Sequence, residues 1–599
     1  MAVRMRRMKS GEVSVENGQY MLKIRMFEAV AFLDFKGTHQ RYMFFPSGAC
    51  NPVGKRDETV SFGKIESQVN DQAVTLSFKE RSSQWANKRV FFVCGNDFIE
   101  FFYQVEGKAE IERAHFFRGY FGGEERGMAG EIDEVYSTCP NFQEKLYFHP
   151  GESFTISAGN VLEMPVGCQA FASPCDCMGL HDRRDRKYLS VGLATQPGQY
   201  TWDAFQWNPP VSIPVTQYPP DNSLAGAFAA VYEGKLRVDG TWRSPKLVMT
   251  FARDRYDVLG QYLRHCYNRG YMVKPPQRRP VGWWREPIYC TWHDQVAMVE
   301  ARSERDGSGG LTSASDTCTE KNCTRWIGSM EKNHCRPGIV ILDDAWAVNR
   351  NSGKADPKKW PDMRGWIEKC HTRGIRVMLW VCAWSTDGIP AGECIMRDGT
   401  PVACDITNPE YLKRFRDMIR LWFSSASGCL NADGVKLDGM MSLPTGKNLR
   451  SCGNIWGLEL QRLYLKTLYE EAKNHKPDVC ISTYALNPYL AEFTDMVRAG
   501  DMFHARLTPH ESLCHRVALY RIAMPNAVID TDGQFSQYAL DDYADELQRQ
   551  AELGVPTLYN AERIARQRFF QPKHNAPVTK DDYKQFADVF AEYRRRMAK

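Results

Sequence analysis

The chain has 599 residues and a mass of 68.6 kDa, with 43% apolar and 25% charged residues, a balance that excludes intrinsic disorder. Its 77 Lys and Arg against 72 Asp and Glu leave a net charge of +5 and a pI near 8.3, too even to mark a polyanion partner, so nucleic acid is not expected. No apolar run approaches the roughly 20 residues of a membrane span, so no membrane is expected, and the basic opening MAVRMRRMKSG lacks the hydrophobic segment of an export signal.

A cytoplasmic location is therefore favoured over secretion with a trimmed signal. The 19 cysteines agree, being odd in number and without paired CxxC spacing; only Cys175 and Cys177 stand close together, and the set reads as reduced, buried thiols.

From about residue 12 to 250 short runs alternate apolar and polar residues between Gly, Asn, Asp and Pro, as in QYMLKIRMF, RVFFVCG, DFIEFFYQV and KLRVDG. That is the pattern of antiparallel strands, and the economical architecture is a β-sandwich over residues 1–250. Between 251 and 280 Tyr256, Leu259, Tyr262 and Leu263 fall at helical spacing before PPQRRP, which predicts a linker helix and loop.

After Pro280 short β-rich runs alternate with longer amphipathic ones, predicting a (β/α)8 TIM barrel over 281–599 and an α/β plus all-β chain. The eight strand runs are PIYCTW (287–292), GIVILDD (338–344), IRVMLWV (375–381), GVKLD (434–438), VCISTY (479–484), MVRAGD (496–501), AVIDTD (527–532) and VPTLYN (555–560). Helices are expected at 360–373, 408–424, 457–474, 541–553 and 580–597. In CDITNPEYLKRF, Asp405 belongs to a helix start, with Thr407 or Asn408 as cap and Pro409 in the first turn. The segment 294–318 reads as a polar loop inserted over the barrel mouth. A doubly wound sheet competes with the barrel, but no glycine-rich phosphate fingerprint follows the first strand.

Barrel enzymes work at the carboxyl ends of their strands. There the sequence places Trp292 and His293, then Asp343, Asp344 and Trp346, then Trp384, then Lys436 and Asp438. Tyr484 and Asn487, Arg498 and Asp501, Asp530 and Asp532, and Tyr559 complete the set. Carboxylates and aromatics without metal-ligand spacing fit glycosidic bond cleavage, in which two carboxyl groups flank the scissile bond. Asp438 is the expected nucleophile, because Lys436, two residues upstream on the same strand face, favours its ionised form. Asp501 is the expected acid, oriented by Arg498. Asp343 and Asp344 repel one another unless each binds a donor, so at least one is expected to contact substrate.

For each strand-end Asp the alternative is a helix cap. A two-metal hydrolase is disfavoured, because of 13 His only His293, His504 and His510 lie near candidate loops; no metal and no organic cofactor are expected. A non-catalytic carbohydrate-binding protein is the other class, although it leaves the coincidence of Lys436, Asp438 and Asp501 unexplained.

Four segments carry a family resemblance: YCTWHDQ (289–295), VILDDAW (340–346), ADGVKLDGM (432–440) and MVRAGDMF (496–503), with RGIRVMLWV and DITNPEY in support. They resemble glycoside hydrolase clan D, and most closely family 36, the α-galactosidases and raffinose synthase-like proteins. The resemblance implies double displacement with retention: Asp438 attacks the anomeric carbon, and Asp501 protonates the leaving sugar and then activates water. It also implies that Asp343, Asp344 and Lys436 bind the hydroxyls at positions four and six, that Trp292 and Trp346 wall the ring, and that Arg498 lies near the 2-hydroxyl or the acid/base carboxyl. His293, Trp384 and Tyr484 are counted among the substrate-binding residues.

The substrate class is an oligosaccharide or glycoconjugate, with a terminal α-galactoside first. Transglycosylation, an α-glucoside and an α-N-acetylgalactosaminide stay open, as does a homo-oligomer. Two departures from the synthase-like branch alter the pocket floor: His293 stands where that branch has Asp, and Met502 follows Asp501 where it has a second Asp. Relatives often carry a C-terminal β-domain, whereas this sequence closes on the helical run FADVFAEYRRRMAK.

Overall fold

A computed structural model of the chain describes residues 3–117, 121–122, 134–138, 145–149, 152–159, 175–207, 228–275, 277–306, 314, 316–484, 487–499, 509–533, 540–565 and 575–598. The alternation read in the N-terminal half produces two antiparallel sheets. In the first, Arg4–Arg7, Val13–Glu16, Tyr20–Arg25, Val30–Phe35 and Arg41–Phe44 pair in succession, with Phe121–Gly122 at the edge. Tyr20, Leu22 and Ile24 point inward with no exposed surface, as a two-residue period requires. The second, 14-stranded sheet is organised by the long strand Phe98–Phe116, flanked by Asn87–Gly95 and Phe228–Arg243.

The helix predicted between the domains spans Arg255–Asn268, capped by Asp254, which accepts from the Tyr256 and Asp257 amides. It is no free linker. Val258, Leu259, Tyr262, Leu263 and Cys266 are buried, and it packs across the strands Tyr188–Ala194 and Lys246–Ala252. At its C-terminal end His265 Nε2 lies 2.9 Å from the buried Glu100 carboxylate, which also receives Tyr271 Oη at 2.7 Å and Lys246 Nζ at 3.3 Å.

All eight strand runs form strands of one parallel sheet in sequence order: Ile288–Cys290, Ile339–Leu342, Arg376–Cys382, Gly434–Asp438, Cys480–Thr483, Met496–Arg498, Val528–Asp530 and Thr557–Leu558. The first pairs with the eighth, Ile288 opposite Thr557, while the seventh and eighth meet through a bridge between Asp530 and Val555. Antiparallel sheets followed by a parallel barrel are the sandwich-plus-barrel architecture expected. Helices Met363–Thr372, Pro409–Phe423, Gly457–His475, Leu540–Leu553 and Lys580–Met597 occupy the expected segments. Asn408 caps the second of these with Pro409 in its first turn, and Asp405 braces the cap by accepting from Thr407 N at 2.9 Å.

One reading is corrected. Much of 294–318 is not loop, because Trp292–Asp306 is helical, with Asp294 and Gln295 buried. Asp294 takes Tyr289 Oη at 2.7 Å and the Ala561 and Glu562 amides, so its polarity serves the closure of the barrel rather than solvent. Helices Glu320–Lys332 and Pro509–Ala523 were not anticipated, nor was the antiparallel pair Cys394–Arg397 and Thr400–Cys404.

The two halves share one hydrophobic core. The segment that follows the fourth barrel strand is tied to the sandwich: Gly446 N donates to Asp203 Oδ2 at 2.9 Å, and Lys235 Nζ donates to Gly446 O at 2.8 Å. Gly457, which opens the next helix at φ +60°, lies so near the Trp202 carbonyl that a Cβ would meet it at 2.4 Å.

Candidate active site

Alternation along Gly434–Asp438 turns Lys436 and Asp438 into the barrel, with Val435 and Leu437 fully buried on the other side. On the neighbouring strand Trp380 stands opposite Lys436, and Cys382 opposite Asp438. The Asp438 carboxylate collects three donors: Trp380 Nε1 at 2.9 Å on Oδ2, and Gly439 N at 3.0 Å and the Tyr484 hydroxyl on Oδ1. Gly439 reaches back because it adopts a left-handed φ of +71°. The Arg498 guanidinium lies 3.9 Å away. Burial opposes ionisation of Asp438, but the charges of Arg498 and Lys436 and the bonds from Tyr484 and Trp380 outweigh it and hold the carboxyl below its usual range. Its side chain is 26% exposed, against 1% for Arg498 and 4% for Lys436, so it is the accessible member of a buried charged cluster.

Lys436 acts on Asp438 at a distance. Its direct partner is Asp343, with Nζ to Oδ2 at 2.6 Å, and Cys290 Sγ donates to the same oxygen at 3.0 Å. The paired Asp residues therefore diverge. Asp343 faces the interior lysine, whereas Asp344 turns to Arg350 at 2.7 Å; burial pushes the Asp344 carboxyl up against the pull of that arginine. Neither is a cap.

Around the remaining wall Arg498 lies 4.4 Å over the Tyr484 ring and 3.6 Å from Asp532, whose Oδ1 accepts from Tyr559 Oη. The His293 ring stands 4.6 Å from Tyr559; burial foremost, then the Lys436 charge, drives its pKa down to about 4, leaving a neutral imidazole near pH 7. Asp530, behind Asp532, is pushed up to about 7 by burial and by that second carboxylate.

A cavity of about 510 Å³ opens beside this cluster, bordered by Trp292, Asp344, Trp346, Arg350, Trp380 and Cys382. Trp346 is fixed there by its indole N–H, which donates to Trp380 O at 2.9 Å, and Arg350 lies 5.2 Å over the Trp380 ring. Trp384 is placed otherwise: its indole donates to Met440 O at 3.2 Å and its ring packs 4.8 Å from Tyr464, inside the wall and away from the cavity lining. Asp501, like Met502 and His504, lies outside the described residues.

Trp380 is the contact that sequence reasoning missed. The signal was its place on the inward face of the third strand, two residues before the strand end. Among the described residues no three His, Cys, Asp or Glu side chains converge on a point that would hold a metal ion.

No family model matches the chain, and no curated protein does. Solved structures do resemble it. A GH31 family sulfoquinovosidase from E. rectale, in complex with an aza-sugar inhibitor, superposes with a TM-score of 0.57 at 10% identity, covering 98% of this chain and 82% of that one. A cycloalternan-degrading enzyme from Trueperella pyogenes superposes with a TM-score of 0.51 at 12% identity in its cycloalternan complex, and 0.50 at 13% identity in another structure. Both cover 97% of this chain and 82% of the enzyme, and at such identities the likeness is one of fold.

Proposed function

We propose that this chain is a retaining α-glycoside hydrolase in which Asp438 is the nucleophile and Asp501 the acid/base, acting on a terminal α-linked galactoside. The observation that carries the reading is the setting of Asp438: partly exposed at a strand end, held in one orientation by Trp380, Tyr484 and the Gly439 amide, and kept below the usual carboxyl range by Arg498 and Lys436 against the opposing effect of burial. A carboxylate so placed attacks the anomeric carbon as the leaving oxygen takes a proton from Asp501, giving a glycosyl ester and a free alcohol. Water, deprotonated by Asp501, then cleaves the ester. The Asp343–Lys436 pair offers an acceptor and a donor together, the combination that an axial hydroxyl requires; a sugar lacking it forgoes both bonds.

A second reading, an anionic α-linked sugar such as a sulfoquinovoside, rests on Arg350 and Lys359 on the cavity wall; it ranks second because Arg350 is already paired with Asp344 at 2.7 Å and Lys359 donates to Ala345 O at 2.9 Å. Initial rates on aryl α-galactoside, α-glucoside and α-sulfoquinovoside separate these readings. NMR of the first-released anomer tests retention, and added sugar acceptor tests transfer. A fluorinated glycosyl fluoride is expected to label Asp438, detected by peptide mass spectrometry. A folded Asp438→Ala variant should lose roughly a thousandfold in rate or more; full activity in that variant overturns the assignment.

A further inference from the structure

Outside the barrel, a second cavity of about 600 Å³ opens on the sandwich, where the end of Phe228–Arg243 and the start of Lys246–Ala252 meet the turn 195–201 and Tyr271. That volume lies within the roughly 300–1,000 Å³ common for small-ligand sites. Its lining combines one aromatic platform with neutral hydrogen-bonding groups. Trp242 is partly exposed, and its ring stands at 71° to Tyr103 and 85° to Tyr232, both buried, so its plane is fixed before any ligand arrives. Gln104, Gln196 and Gln199 border the same space. Gln199 spends its carbonyl oxygen on Thr195 at 3.0 Å, which leaves its amide nitrogen to donate outward. The nearby charge of Lys246 is already taken up by Glu100 at 3.3 Å.

We propose that this cavity is an accessory carbohydrate site, which takes neutral hexose units of a longer glycan by stacking one pyranose face on Trp242 and bonding its hydroxyls to the glutamine amides. An indole face beside uncharged amides suits a hydroxyl-rich neutral ring. An anion would find only Arg243 uncommitted to a carboxylate among the described lining residues. The inference rests on the proposed glycosidase reading for its ligand class, and it adds a grip on polymer remote from the cleaved bond.

The test is native affinity electrophoresis of the full chain through gels containing galactomannan, dextran or soluble starch. The unmodified protein should be retarded by at least one of them, and Asp438→Ala should be retarded equally. Trp242→Ala should weaken binding by about tenfold, as loss of a stacked ring predicts. Gln196→Ala, on an exposed turn where folding is not at stake, should weaken it less. Both variants should keep the unmodified rate on aryl glycosides while losing rate on polymer. Retardation unchanged in Trp242→Ala, retardation lost in Asp438→Ala, or no retardation of the unmodified chain by any of the three overturns the proposal. Retardation that depends on Trp242 in a chain that hydrolyses no glycoside would overturn the hydrolase reading and leave the site standing.

Discussion

Lys436 and Asp343 are joined by a 2.6 Å contact between Nζ and Oδ2 that runs from the fourth barrel strand to the end of the second, past the strand between them. Both side chains are 5% exposed or less, so neither charge has water to fall back on. Lys436→Met leaves a buried carboxylate without its cation, a change that costs on the order of 3–5 kcal/mol. Chemical denaturation should show that loss, and Lys436→Met/Asp343→Leu should recover most of the stability with none of the activity.

Trp380→Phe removes one donor from Asp438 and keeps the ring beneath Arg350. That bond helps hold Asp438 low, so its removal raises the carboxyl pKa and less of Asp438 is ionised in acid. The acidic limb of kcat/KM should move to higher pH by about one unit, with a smaller change on the alkaline side. A pH–rate profile identical to that of the unmodified chain would remove Trp380 from the account.

Burial opposes the charge on Glu100, but His265, Lys246 and Tyr271 outweigh it and bring the pKa down to about 2. A depressed carboxyl stabilises the fold above its unfolded pKa, about 4.3, and that contribution fades as pH falls from there towards 2. It amounts to roughly 3 kcal/mol. Acid unfolding should therefore be steep across that window, and Glu100→Gln should be less stable at neutral pH with a flatter acid limb. Urea midpoints taken at several pH values read both effects.

Gly457→Ala introduces a Cβ at φ +60° and 2.4 Å from the Trp202 carbonyl, so either backbone must shift. A loss of roughly 2 kcal/mol or more, read as a lower Tm, is expected. Gly446→Ala, also left-handed at φ +96° but with open space around the added carbon, should cost less.

The barrel was readable because parallel strands buried on both faces appear as unbroken apolar runs, VILD and RVMLWV among them, bounded by polar strand ends. Lys436 and Asp438 followed from the two-residue period alone. Which carboxylate the lysine would meet did not, since Asp343 is 93 residues away and meets it only across the intervening third strand. Trp380 was lost among apolar neighbours in a strand, where an indole reads as filling and its N–H leaves no trace. The helix Trp292–Asp306 was hidden because WHDQVAMVEARSERD carries Asp294 and Gln295 where an apolar stripe was sought, and both are spent on buried hydrogen bonds.

The tether between Gly446 and the Asp203–Lys235 pair bears on any attempt to work with half of this molecule. A fragment starting near residue 281 keeps every barrel strand but surrenders the two groups that anchor the stretch downstream of Asp438. It also bares apolar surface that the sandwich now covers. Excision would yield a sticky polypeptide in which Asp438 sits next to an unmoored segment, so the all-β portion is as much a part of the barrel's support as the barrel's own helices.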